Sequence, residues 1–337
     1  MTVDAAALAD LGVIPTVYSL VLPQTRATFD ALRAETDLGA MYERAWTKQQ
    51  DPMHHALLDT WAQWVRPVVG DGLQRFGHRY VTAGSSEAIR DSIAQHVADA
   101  HAGGRPPRLH VFTGEYEGYA AYARAYHCEV VVHDRDAYEA SLREGVREGD
   151  RFYLSAPSSL DGMVWSGYDA FLRFVVDHLP GLRVAVDLCY VGCVGSGPYT
   201  LAVDAPCIDT IFFSLSKVYG VYYHRIGGVL HTRPAAGLAG NVWFKNLLSI
   251  RYGVQLMQRH DVWTLPTRYR PAQQAVCDRL ARATGAPVTA SDVLLLAHQA
   301  AAGGPLDEAF ARGTSRRRFC LTPALDARIR ADDEGAR

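Results

Sequence analysis

The chain has 337 residues, of which 48% are apolar and 21% are charged, so it can form one large domain and a smaller one with ample cores. Its 34 basic and 36 acidic residues give a net charge of −2, and the only single-sign run is Arg316–Arg318, which argues against nucleic-acid binding. No stretch approaches the roughly 18 apolar residues of a membrane span, and the first residues lack a secretion signal, so we expect a cytoplasmic protein without membrane contact.

The N-terminal part of the chain is predicted to be helical. Residues 1 to about 50 are rich in helix-forming types and carry no strong landmark. A helix is predicted from Pro52 to Val69, where Leu57, Trp61 and Trp64 recur at helical spacing. This apolar stripe indicates a face that packs into the core.

From Tyr80 onwards, short apolar runs alternate with amphipathic helices. Strands are predicted at residues 109–112, 129–132, 152–154, 183–187, 210–213 and 226–231. Helices are predicted from about 86 to 102, then at 117–127, 137–146 and 168–178. The alternation favours a mostly parallel sheet covered on both faces, in which ligands bind beyond the carboxyl ends of the strands. After about residue 233 the chain is predicted to be mainly helical.

Two polar turns follow predicted elements in this region. Gly84-Ser85-Ser86 opens a helix, where exposed amides and the positive end of the helix dipole can bind phosphate. Ser85 or Ser86 could instead serve only as the helix N-cap. Asp187 ends an apolar strand, and Tyr190 comes three residues later. These residues could bind a ligand beyond the strand end, or Asp187 could only cap a turn, which is common for a strand-end aspartate.

The stretch Ser214-Leu-Ser-Lys-Val-Tyr-Gly220, followed by Arg225, carries the most specific chemistry. A lysine at a strand exit is either a solvated charge or a buried amine, and burial lowers the amine pKa and exposes the lone pair that condenses with carbonyls. This stretch closely resembles the cofactor-lysine segment of fold type I pyridoxal-phosphate (PLP) enzymes, the aspartate aminotransferase superfamily. Asp187-x-x-Tyr190, 30 residues before Lys217, matches the same family.

The resemblance implies pyridoxal 5'-phosphate as cofactor and assigns roles around it. Lys217 would carry the internal aldimine, Asp187 would keep the pyridine nitrogen protonated, and Tyr190 would contact the ring's 3-oxygen. The phosphate would be bound by a turn, several hydroxyls and one guanidinium: Gly84, Ser85, Ser86, Ser214, Ser216 and Arg225.

Two further segments are similar to the family but depart from it. Gly114–Tyr119 resembles its Pro-x-aromatic-x-x-Tyr segment, which makes Tyr116 the residue that stacks on the ring, although Gly114 replaces the proline and the tyrosines could be ordinary core. Ser159 occupies the place of an asparagine that contacts the 3-oxygen. Serine has one donor and a shorter reach, so this contact is expected to be looser.

Arg318 resembles the C-terminal arginine that clamps the substrate carboxylate with two hydrogen bonds, although a solvated cluster with its two arginine neighbours is an alternative. The family also implies a homodimer with active sites at the interface. Residues 46–50 and 241–246 are candidates for contacts across it.

The resemblance implies an α/β fold, with a mostly parallel seven-stranded type of sheet between helices and a reduced small domain that is mainly helical or α+β. We predict three parts. Residues 1–55 form a helical segment that packs on the small domain or a partner, 56–235 the large PLP-binding domain, and 236–337 the small domain.

By this resemblance the protein is an enzyme acting at the Cα of an L-amino acid through an external aldimine and a quinonoid, with transamination first and β- or γ-elimination as the alternative. A third possibility is a non-catalytic PLP-binding scaffold. Ser-x-x-Lys hydrolases are set aside because no Lys-Thr-Gly occurs, and dinucleotide binding because no Gly-x-Gly-x-x-Gly follows a strand. The six cysteines show no zinc spacing, so no metal is expected.

Overall fold

The computed structural model describes residues 4–46, 51–243 and 246–335. Both stretches suggested above for partner contacts therefore lie partly outside the described residues. No helix within these three ranges is long and apolar enough to cross a membrane.

A seven-stranded sheet forms the centre of the large part of the molecule. Its strands are β1 (His78–Thr82), β2 (Arg108–Phe112), β3 (Glu129–His133), β4 (Arg151–Ser155), β5 (Arg183–Asp187), β6 (Ile208–Ser214) and β7 (Gly227–His231). They lie in the order β1-β7-β6-β5-β4-β2-β3, and β7 alone runs antiparallel to its neighbours. The predicted mostly parallel α/β fold is confirmed, with strand bounds that differ by one or two residues.

Twelve α-helices lie within the described residues. They are α1 (Ala5–Asp10), α2 (Pro23–Glu35), α3 (Leu38–Trp46), α4 (Asp51–Val69), α5 (Ser85–Ala102), α6 (Glu117–Ala125), α7 (Tyr138–Gly145), α8 (Tyr168–His178), α9 (Leu247–Arg259), α10 (Thr264–Thr284), α11 (Pro305–Phe310) and α12 (Thr322–Gly335). Short 3₁₀ helices span Gly72–Arg75, Tyr222–His224 and Ala236–Trp243.

Helices cover both faces of the sheet, because its strands are apolar on both sides. Tyr153 of β4 and Phe212 of β6 point to the face covered by α5 and α6. Phe152 and Phe213, their neighbours in sequence, point to the opposite face, where Phe213 stacks on Trp61 of α4 with ring centroids 4.1 Å apart. Successive residues of a strand face opposite ways, so continuous apolar runs are what a doubly covered sheet requires.

The C-terminal part contains a second sheet, which agrees with the α+β alternative for this part, although the positions of its strands were not predicted. Strands β8 (Thr289–Ala290), β9 (Leu296–Ala300) and β10 (Arg316–Cys320) form an antiparallel sheet in the order β10-β9-β8. The N-terminal segment packs against this part, since Ile14 forms an isolated bridge with Cys320 and the amide of Ala324 donates to the carbonyl of Gly12. The predicted division into three parts stays a prediction.

Candidate active site

A cavity of about 610 Å³ opens at the carboxyl ends of β4, β5 and β6. Ten of the twelve predicted site residues line it: Ser85, Ser86, Tyr116, Ser159, Asp187, Tyr190, Ser214, Ser216, Lys217 and Arg225. The other two are Gly84, which lies beside Arg225, and Arg318, which is bound elsewhere. The parallel strands bring residues from distant parts of the sequence to one edge of the sheet, as open α/β sheets do at ligand sites.

Lys217 follows β6 in a short turn and lines the cavity. Burial lowers the pKa of its ammonium group below the usual value for lysine. The Nζ atom donates a hydrogen bond to the carbonyl of Val17, which belongs to the N-terminal segment. The chain has three lysines, and Lys217 is the only one that lies within the described residues.

Asp187 is the last residue of β5, and its side chain is 2% exposed. Its carboxylate accepts a 3.0 Å hydrogen bond from the amide of Cys189 and forms no ion pair with a described cationic side chain. Burial, together with the smaller effect of the negative charge of Glu115, raises the pKa of Asp187 to about 7. A cationic partner in the cavity would therefore stabilise the ionised form.

A cradle of hydrogen-bond donors lies at the N-terminus of α5. Arg225 donates from Nη2 to Ser86 Oγ at 2.6 Å and to the carbonyl of Ala83 at 2.8 Å. Arg225 itself has φ 52°, a left-handed backbone that is costly for a non-glycine residue and often found at functional sites. Ser214 Oγ lies opposite, 3.1 Å from Ser216 Oγ.

The prediction that Ser85 or Ser86 caps α5 is wrong. The N-cap is Gly84, with φ 77°, and a Cβ built there would lie 2.8 Å from Arg225 Nη2. The amide of Ala83 is instead bound by the carboxylate of Glu87. Neither serine hydroxyl is therefore used as the helix cap, and the Ser86 hydroxyl, which accepts from Arg225, can still donate its proton to a ligand.

The two predicted ring-contact tyrosines both line the cavity. Tyr190 is 4% exposed, whereas Tyr116 is 36% exposed and forms an edge contact with Tyr119 at 5.5 Å between ring centroids. Gly114 has φ 80°, which a proline cannot adopt, so its departure from the family pattern follows from the local backbone.

Ser159 also lies at the cavity wall, but its hydroxyl is already engaged. Ser159 Oγ donates to Glu115 Oε2 at 2.7 Å, and Ser155 Oγ donates to the same oxygen at 2.6 Å. Glu115 was not predicted as a site residue. An acid just before a helix is ordinarily solvated, and nothing in the sequence marks this one as buried.

Arg318 does not line the cavity. It lies in β10, 4% exposed, where Nη1 donates to the carbonyl of Ser159 at 2.6 Å and Nη2 to that of Pro15 at 3.1 Å. Its Nε is buried without a hydrogen-bond partner among the described residues. A neighbouring guanidinium, that of Arg312, lies 3.2 Å from the Glu117 carboxylate, which is also 3.9 Å from Arg318.

Sequence reasoning also missed the N-terminal segment. Thr16, Val17, Tyr18, Ser19 and Val21 line the cavity, although no motif marks them. They reach it because the preceding residues are fixed to the C-terminal part of the chain by the Ile14 bridge. Such a contact depends on tertiary packing and leaves no local signal.

The donor set fits PLP. The N-terminus of α5, the serine hydroxyls and Arg225 suit a dianionic phosphate, and the unpaired buried carboxylate of Asp187 suits a pyridinium nitrogen. Lys217 supplies a buried amine in the same cavity. The described part of the chain holds no group of three or more His, Cys, Asp or Glu side chains that could bind a metal ion.

Comparisons with known proteins identify the fold. No protein-family model matches the sequence, and no curated protein does. The structure is similar to that of a Thermus thermophilus aspartate aminotransferase tetra mutant, with a TM-score of 0.66, 12% identity, and coverage of 95% of this chain and 93% of that one.

Two other solved structures are similar over most of their length. For the PLP-bound C-S lyase from Staphylococcus hominis the TM-score is 0.68 at 10% identity, with 96% of this chain and 91% of that one covered. For YbdL from Escherichia coli, described with a methionine aminotransferase function, the TM-score is 0.63 at 14% identity, with 86% of this chain and 88% of that one covered. The chain therefore has the fold of the aspartate aminotransferase superfamily, the fold type I architecture of PLP-dependent enzymes.

Proposed function

We propose that this protein is a PLP-dependent enzyme that transfers the amino group of an L-amino acid to a keto acid. The observation that carries this proposal is the convergence of a buried amine, Lys217, a buried carboxylate, Asp187, and the donor cradle around Arg225 on one cavity. A phosphate, a pyridine nitrogen and a reactive carbonyl carbon are the three features of PLP that these groups complement.

Each group has a task in this proposal. The bound cofactor supplies an electron sink for the electron pair left at the substrate Cα when a bond to that carbon breaks. Lys217 is the residue that would hold the cofactor through its amine, and the same amine would carry the proton of the substrate Cα. Its lowered pKa favours the neutral amine that accepts this proton. Asp187 holds a proton on the pyridine nitrogen.

The substrate carboxylate is assigned to Arg318, which can offer a planar pair of donors. In the structure that guanidinium is bound to the carbonyls of Ser159 and Pro15, so substrate binding requires at least one of these bonds to be exchanged. If the bond to Pro15 is the one exchanged, the cavity-lining segment that follows Pro15 loses this contact with β10.

Elimination of a β- or γ-substituent is the second candidate, supported by the similarity to a C-S lyase. The two reactions differ in stoichiometry, since transamination consumes a keto acid and elimination releases a leaving group without one. A PLP-binding scaffold would do neither. We further propose a cytoplasmic homodimer with its active sites at the interface and no nucleic-acid partner.

The first test is the visible absorption spectrum of the protein mixed with PLP. Wild type should gain a visible absorption band that borohydride removes. Borohydride fixes the cofactor on the protein, and peptide mass spectrometry should then find the fixed cofactor on Lys217. Lys217→Ala should lack the band, whereas Lys48→Ala, which removes another of the three lysines, should keep it. The proposal would be overturned if wild type lacked the band or if the fixed cofactor were found on Lys48 alone.

A further inference from the structure

A second buried carboxylate lies directly behind the cavity wall. Glu115 sits in the turn between β2 and α6 and is 8% exposed. It accepts four hydrogen bonds from neutral groups, namely the hydroxyl and amide of Ser155, the hydroxyl of Ser159 and the amide of Tyr116. It forms no ion pair with a described cationic side chain. A buried charge held in this way is unusual unless the fold uses it.

The contacts fix the direction of two hydroxyl protons. An ionised carboxylate can only accept hydrogen bonds, and a serine hydroxyl has a single proton. Ser155 and Ser159 both donate that proton to Glu115 Oε2, at 2.6 and 2.7 Å. Both serines line the cavity, and Ser155 Oγ also accepts a hydrogen bond from the amide of Ser159 at 2.8 Å. Ser159 therefore cannot donate to an oxygen of the cofactor while Glu115 is ionised.

The charge of Glu115 also reaches the site. It contributes to the raised pKa of Asp187, so the two carboxylates act on one another across the cavity wall. Burial raises the pKa of Glu115 as well, while the hydrogen bonds from Ser155 and Ser159 oppose the rise. Two guanidinium groups face this wall from the C-terminal part of the chain, since Arg312 donates to the backbone carbonyl of Glu115 and Arg318 to that of Ser159. When the two carboxylates are ionised, they favour a positive charge in the cavity.

Resting on the proposed function, we propose that Glu115 is a positioning residue. It turns the hydroxyl protons of Ser155 and Ser159 away from the cofactor, and its charge favours a proton on the nitrogen that joins Lys217 to the cofactor. A donor to the neighbouring 3-oxygen would stabilise that oxygen's negative charge and make the nitrogen less basic. By removing the donor and adding negative charge, Glu115 makes the nitrogen more basic.

The test is a pH titration of the visible band, which reports the pKa of that nitrogen. Glu115→Gln should lower this pKa by about one unit or more, because the negative charge is lost and a neutral amide oxygen holds the two serine protons less firmly than a carboxylate does. Glu117→Gln removes a carboxylate two residues away that is 66% exposed, and it should move the pKa by less than about a third of that.

Ser159→Ala separates the two contributions. In the wild-type background it should leave the pKa unchanged, because the lost proton pointed at Glu115. In the Glu115→Gln background, Ser159→Ala should reverse part of the decrease in this pKa. A rise of the pKa in Ser159→Ala alone would mean that Ser159 donates to the cofactor, and it would overturn the role of Glu115 even if Glu115→Gln did not fold.

The outcomes also separate this inference from the proposed function. If wild type gains no visible band with PLP, both are overturned. If the band forms on Lys217 and its pKa is the same in wild type and Glu115→Gln, the proposed function stands and the role of Glu115 is overturned.

Discussion

At the scale of single residues, Asp187 shows how a proposed cofactor-binding group can destabilise the fold that holds it. Its carboxyl group has a pKa of about 7 in the folded protein, against 3.8 as the ordinary value. The folded state therefore holds the proton more tightly than the unfolded state, and stability falls as the pH rises from about 4 to 7. Above pH 7 the whole penalty of the buried charge is present.

Asp187→Asn removes this penalty and the proposed partner of the pyridine nitrogen together. Without PLP, the variant should be more stable than wild type at pH 8 by about 1–3 kcal/mol, and the difference should vanish near pH 4. Its affinity for PLP should fall. Denaturant unfolding at the two pH values and a PLP titration measure these quantities. Equal stability of wild type and Asp187→Asn at pH 8 would show that the buried carboxylate does not destabilise the protein without PLP.

At the scale of elements, the cradle is formed by three segments that meet only in the folded chain. The N-terminus of α5 supplies amides and two serines, the end of β6 supplies Ser214, and the turn before β7 supplies Arg225. Strands β1 and β7 pair antiparallel with Thr82 opposite Gly227, which places the α5 turn against the Arg225 turn. The proposed phosphate role of the cradle thus depends on the sheet order.

Arg225→Gln tests this role separately from the rest of the site. Loss of a charged donor should weaken PLP binding by about 10- to 100-fold, whereas pyridoxal, which lacks the phosphate, should bind the variant and wild type alike. Arg233→Gln is the matched control, because Arg233 follows β7 at its other end and pairs with Asp99. Titration of each variant with both ligands gives the comparison. Equal losses for PLP and pyridoxal would contradict a phosphate site.

The elements that sequence reasoning missed share a physical cause. Strand β10 begins with three arginines, a pattern typical of a solvated segment, yet Arg317 is bound by Asp307 and Gln299 and Arg318 by two carbonyls. Buried arginines are possible where the tertiary structure supplies acceptors, and those acceptors are distant in sequence. Strand β1 was missed because its half-exposed edge carries His78 and Arg79.

At the scale of the whole molecule, the doubly covered sheet could be predicted because its strands are continuous apolar runs between amphipathic helices. The positions of Lys217 and Asp187 at one edge followed from that topology and from their motifs. What could not be predicted are contacts made by residues without a local pattern, such as Val17 over Lys217 and Glu115 behind Ser159. Their positions are decided by packing between distant segments.

The mouth of the cavity carries exposed apolar side chains, which a monomer seldom leaves in one patch. Tyr18, Val21, Tyr222 and Tyr223 all line the cavity, and their exposed fractions are 56%, 38%, 53% and 92%. In the proposed homodimer a second copy of the chain would cover this patch and close the site. A charge placed in the patch would then be buried without a partner and would destabilise the dimer.

Tyr223→Asp should therefore shift the protein from dimer to monomer and weaken PLP binding, as measured by sedimentation velocity and by titration. Val132→Asp is the control, because Val132 is 56% exposed on edge strand β3 and does not line the cavity. It should remain a dimer. Wild type that sediments as a monomer at all concentrations would refute the dimer. A Tyr223→Asp variant that stays dimeric would place the interface away from the cavity mouth.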